Sequence, residues 1–103
     1  MTNTVVYAGN TYSPPELAPK DPDGVTIYTW DWTDWLDDET IATSTFTVES
    51  GITNDDDSIV SGSLKTSIQL SGGTAGEKYL ITNKITTATR TAVRSAYVRV
   101  VNR

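Results

Sequence analysis

An all-β sandwich is the fold this 103-residue chain predicts, and three observations carry the prediction. Leu64, Thr66, Ile68 and Leu70 alternate with Lys65, Ser67 and Gln69, the period of two expected of a strand with one buried and one wet face. A glycine-rich turn, LSGGTAG at 70–76, follows, and Tyr79, Ile81 and Ile85 resume the alternation. Tyr79 stands three residues past Gly76, where sandwich domains of the immunoglobulin type keep a corner tyrosine whose ring packs inward while its hydroxyl returns to loop backbone. The predicted architecture is an immunoglobulin-like antiparallel β-sandwich of about seven strands over residues 25–103, preceded by an extended arm over 1–24.

The elements follow in order. Residues 1–24 hold all four prolines, Pro14, Pro15, Pro19 and Pro22, and little alternation beyond Val5, Val6 and Tyr7, which predicts an arm with one short edge strand. VTIYTWDW, 25–32, is β-branched and aromatic, with Tyr28, Trp30 and Trp32 on the face that should turn inward. Thr33 or Asp34 can cap one helical turn through Trp35 and Leu36, and Asp37, Asp38 and Glu39 then make an acidic loop. IATSTFTVE, 41–49, sets Ala42, Ser44, Phe46 and Val48 against threonines, with Phe46 at the mid-strand aromatic position. Residues 51–57 are expected as a turn, 58–61 as a short strand, and 64–70 as the alternating strand whose inner face includes Leu64. A closing hairpin pairs 78–86 with 91–101, placing Ala96, Val98 and Val100 on one face.

Composition removes most chemistries. Neither cysteine nor histidine is present, so disulfides, thiolate metal sites and nucleophile pairs built on histidine are excluded. No run approaches the roughly 18 apolar residues of a membrane span. MTNTVVYAGN lacks the basic start and apolar block of a secretion signal, and synthesis in a cytoplasm is expected.

Charge is divided unevenly. Residues 1–57 carry twelve of the thirteen acids against Lys20 alone, whereas residues 58–103 carry seven cations against Glu77, a net of −11 against +6. Acidic loops and a basic final hairpin can meet between copies, and such self-complementary patches favour head-to-tail rings. Arg90 and Arg94, expected at the hairpin tip, are the cations that would meet the acids Asp37 to Glu39 or Asp55 to Asp57 of a neighbour. The acidic pairs also suggest calcium, but Asp21 with Asp23, and Asp55 with Asp56 and Asp57, lack the alternating ligand spacing of a calcium loop. No metal or cofactor is therefore expected. The cations are spaced singly on an acidic chain, which argues against nucleic acid. Carboxylates on the loops of a thin sandwich form no cleft for glycosidase chemistry, so no enzyme activity is expected. Of the three tryptophans, Trp35 lies in a turn beside the acidic loop and is the candidate anchor for a partner.

KDPDG at 20–24, DWTDWL at 31–36, TIATSTFTV at 40–48, LSGGTAG at 70–76, and Tyr79 with NKITT at 83–87 followed by Arg90 and Arg94 form an ordered set. From Lys20 onward the chain resembles the fibre-tail adaptor family of small tailed-bacteriophage virion proteins. It departs from that family in its long arm, its extra acids at 37–39 and Phe46 where tryptophan is more usual. The resemblance implies an immunoglobulin-like structural virion protein at the tail or neck, joined to other virion subunits and copies of itself. Two other functions use the same fold: a capsid decoration protein, separated by copy number per particle, and a carbohydrate-binding module, separated by glycan binding of the isolated domain.

Overall fold

The computed structural model describes residues 4–6 and 16–102, so most of the expected arm, 1–3 and 7–15, lies outside the described residues. The described strands are β1 (Thr4–Val6), β2 (Thr26–Asp31), β3 (Thr43–Val48), β4 (Ile52–Ile59), β5 (Lys65–Gly72), β6 (Lys78–Thr86) and β7 (Thr91–Arg99), with one four-residue helix, α1 (Thr33–Leu36), between β2 and β3. Six antiparallel strands form two three-stranded sheets, β2-β5-β4 and β3-β6-β7, packed as a sandwich; β1 extends the first sheet by pairing parallel with β2.

The core lies between the sheets because alternation on each strand aims one face inward. Tyr28 and Trp30 of β2 and Ile68 and Leu70 of β5 meet Ile81 and Ile85 of β6 and Ala96 and Val98 of β7, all almost wholly buried. Trp30 reaches across the layers twice, edge-on to Phe46 at 5.2 Å and through its Nε1–H to the Arg94 carbonyl at 3.2 Å. A polar cluster is sealed beside these rings. Trp32 Nε1 and Thr66 Oγ1 both donate to Asn83 Oδ1, at 3.0 and 2.6 Å, while Asn83 Nδ2 donates to Ser44 Oγ and the Thr45 carbonyl. One amide side chain thus satisfies groups from both sheets, the condition under which a buried polar cluster is tolerated.

Tyr79 does as the turn spacing predicts. Its ring is buried and its hydroxyl accepts the Thr74 N–H at 2.9 Å, tying β6 to the preceding turn. Gly73 lets that turn close: its φ is +94°, and a Cβ there would lie 2.6 Å from Val100 Cγ2.

Residues 16–20 run along the outer edge of β7. Leu17 N–H and Lys20 N–H donate to the carbonyls of Tyr97 and Arg99, and Val101 N–H donates to the Lys20 carbonyl. Leu17 is buried in the core, and Lys20 is 1 % exposed, its Nζ donating to the carbonyls of Asp21 and Gly72 at 2.8 and 2.7 Å. Desolvation holds the Lys20 pKa below the usual lysine value, against the opposing pull of Asp21, Asp23 and Asp55.

The structure corrects four expectations. The turn expected over 51–57 is most of β4, an edge strand with a bulge between Asn54 and Asp56. Three consecutive aspartates have low strand propensity and hide the alternation, and on an edge strand their charge disfavours pairing with an identical strand. Leu64 is 37 % exposed rather than inward, because it precedes β5 in the turn. The helical turn is not capped by Thr33 or Asp34. Trp32 is the N-cap residue, and Asp31 Oδ1 accepts the Thr33 N–H and Oγ1–H instead. Arg94 is not at the hairpin tip but three residues into β7, opposite Asn83.

Candidate docking surface

One end of the sandwich gathers α1, the loop through Thr40, the β4–β5 turn and the β6–β7 tip. Leu36 anchors α1 in the core, while Trp35 is half-buried and stands edge-on to Trp32 at 5.7 Å. The exposed face of Trp35 is occupied by this chain's own Arg90, whose guanidinium lies 4.2 Å from the ring centroid. Arg90 also donates from Nε to Glu39 Oε1 at 2.7 Å and from Nη2 to the Leu36 carbonyl at 2.6 Å. Glu39 further accepts the hydroxyls of Thr89 and Thr87 at 2.7 and 3.1 Å. The structure therefore brings Trp35, Glu39 and Arg90 together within one chain. Within the chain Arg90 binds Glu39, because hairpin tip and acidic loop are adjacent at the same end.

The hydrogen bond from Thr89, then that from Arg90, lower the Glu39 pKa below its ordinary 4.5. A carboxylate with a depressed folded pKa stabilises the fold fully above the unfolded value and loses that contribution as pH falls through the folded one. We expect any gap in melting temperature between wild type and Glu39→Gln near neutral pH to close on acidification below about 4.5. Parallel thermal melts over that range check it; a constant separation would contradict the assignment.

Asp37 and Asp38 behave differently from Glu39. Both are exposed, both have left-handed backbone with φ of 45° and 73°, and no side-chain hydrogen bond reaches either among the described residues. With Asp34, Thr33, Thr40, Gly62 and Leu64 they border an open groove of about 570 Å³. Its lining is acidic, and of the two apolar residues that border it, Leu36 is buried and Leu64 exposed.

The other predicted residues lie elsewhere. Asp55, Asp56 and Asp57 are on β4, with Asp57 accepting from Asn54 Nδ2 at 2.7 Å. Arg94 directs Nη1 to the Val93 carbonyl at 2.6 Å. Among the described residues no group of three or more carboxylates is disposed to hold a metal ion. Two residues that organise the molecule escape sequence reasoning. Asn83 had a signal, an amide at an inward position between Ile81 and Ile85; Lys20, a lone cation among prolines and aspartates, had none.

A family model described as podophage GP4 fiber-tail adaptor protein gp77 matches residues 20–99. No curated protein and no solved structure matches the chain. The matched span begins at the buried Lys20 and ends with β7, so it takes in both three-stranded sheets, α1 and the loop end. The chain belongs to the podophage fibre-tail adaptor family: it is a structural component of the virion tail that binds other virion proteins, and not an enzyme.

Proposed function

We propose that this adaptor is an immunoglobulin-like module that presents its loop end, Trp35 to Glu39 with Arg90, to a basic surface of a tail or fibre subunit and also associates with copies of itself. The strand order supports the first part. Lettered in sequence order, the sheets read A-B-E-D and C-F-G, the arrangement of a constant-type immunoglobulin domain, and Tyr79 occupies the corner position at the start of strand F. The parallel pairing of β1 with β2 is the one departure.

The observation that carries the docking reading is the contrast inside the loop end. Glu39 is neutralised by Arg90, whereas the neighbouring exposed Asp37 and Asp38 have no side-chain partner among the described residues and border a groove that also exposes Leu64. Exposed charge beside an apolar side chain suits a protein contact, in which the charge sets orientation and encounter rate. The Arg90 clamp supports this role by holding the loop in one shape before binding. Asp55 to Asp57 and Arg94 serve contacts with copies of the chain rather than this groove.

The double variant Asp37→Asn with Asp38→Asn tests the reading, since asparagine keeps the left-handed backbone and removes only charge. Its stability should stay within about 0.5 kcal/mol of wild type. In phage complemented with the variant, recovery of fibre-bearing tails should fall sharply. Wild-type yields of complete particles would overturn the loop end as the docking face.

A further inference from the structure

The two sheets carry opposite charge. Strands β3, β6 and β7 hold Lys78, Lys84, Arg94 and Arg99 and no acid, whereas β2, β4 and β5 hold Asp31, Asp55, Asp56 and Asp57 against Lys65 alone. Each sheet also has one edge on the same flank. Among the described residues β3 pairs only with β6 and β4 only with β5, and the two edges are joined by the three residues 49–51. The opposite flank is closed differently, with residues 16–20 lying along β7.

We infer that this flank is an interface between two copies of the chain, in which the acidic β4 edge of one copy is laid along the β3 edge of the other. The inference rests on the self-association proposed above and specifies where it occurs. Three features carry it. β3, TSTFTV, has no charge, proline or glycine, so nothing along Thr43–Val48 discourages a further strand. Lys84 lies opposite Thr45 on the neighbouring strand and gives that sheet the sign needed to receive Asp55 to Asp57. Phe46, Val48 and Ile59, at the rim of the core on these two edge strands, are only half-buried, and a strand added there covers them.

The alternatives are less favourable on the same grounds. Pairing β4 with β4 would set six aspartates against one another, and pairing β3 with β3 leaves both acidic edges unanswered. Because both edges border one flank, the contact is reciprocal: a two-fold axis brings each β3 to the other copy's β4. A head-to-tail ring cannot use these edges, since both would face the same neighbour.

The chain has no cysteine, which makes disulfide trapping specific. Directly opposed residues on paired antiparallel strands have Cα atoms about 4.5–5.5 Å apart, within disulfide reach. Full-length Thr45→Cys and Asp56→Cys proteins, made in two lengths by a tag, would be mixed and oxidised, with Thr43→Cys and Thr47→Cys covering neighbouring registers. All four positions are exposed, and melts of the reduced proteins verify the fold. The same pairs co-expressed during phage infection report on the protein assembled in tails. The expected result is a β3–β4 heterodimer in at least one register, its yield lost when Lys84→Glu accompanies the β3 cysteine, and a two-chain mass by light scattering before oxidation. Predominant β3–β3 dimers, no disulfide either in solution or in tails, or a mass above two chains would overturn it. Presence of the protein in purified tails, read separately by mass spectrometry, keeps failure of the pairing distinct from failure of the self-association reading, which predicts more than one copy per tail.

Discussion

Replacing Asn83 with alanine is expected to unfold the protein at or near physiological temperature. Two buried donors, Trp32 Nε1 and Thr66 Oγ1, lose the oxygen they share, and the part-buried Ser44 Oγ and Thr45 carbonyl lose one donor each. Each orphaned buried group costs about 1–3 kcal/mol, and the losses are not additive because the groups form one cluster. A total of about 3–5 kcal/mol is a large share of the roughly 5–15 kcal/mol that holds a domain together. The midpoint should fall by roughly 15–25 °C at the usual conversion for a domain of this size. Thermal and urea melts check it. A drop of only a few degrees would mean that water replaces the amide, and that the cluster is not what registers one sheet on the other.

Lys20→Ala should be nearly as damaging, for a different reason. The side chain is almost fully buried, so truncation leaves a cavity and takes the Nζ donor from the Gly72 carbonyl, while the Asp21 carbonyl keeps the Gly24 N–H. The expected loss is about 3–4 kcal/mol, the scale of a buried long side chain cut to alanine. Lys20→Met keeps the stem and removes both donor and charge, so its loss should be smaller, about 1–2 kcal/mol. The pH dependence separates charge from packing. Burial lowers the folded pKa of Lys20, so between that value and the unfolded 10.5 the unfolded chain binds more protons and stability rises with pH. Wild type should show this rise on approaching pH 10.5, and Lys20→Met should not.

The parts legible in the sequence are those where a two-residue period runs unbroken. β6 spans Lys78–Thr86 as the alternation predicts, and the inward residues of β2, Tyr28 and Trp30, are almost wholly buried. β4 was illegible because its exposed edge carries Asn54 to Asp57, whose strand conformation comes from pairing with β5 and not from their own preference. The family was legible from the order of several short motifs, none sufficient alone. At the loop end the sequence named Trp35, Glu39 and Arg90 without showing that Arg90 and Glu39 of one chain lie in contact. Composition records which charges exist, whereas only the tertiary arrangement records that the hairpin tip and the acidic loop share one end. Lys20 shows the same limit, since no local pattern announces a cation that is useful only when buried.

The run of residues 16–20 beside β7 has a mechanical consequence. The two segments are parallel, so a pull that draws the amino-terminal side one way and the carboxyl-terminal side the other slides them lengthwise. The bonds of Leu17, Lys20 and Val101 then bear load together and must rupture at once, where an antiparallel hairpin pulled from its open end would peel one bond at a time. A joint that carries a fibre under tension is well served by a clasp loaded in shear.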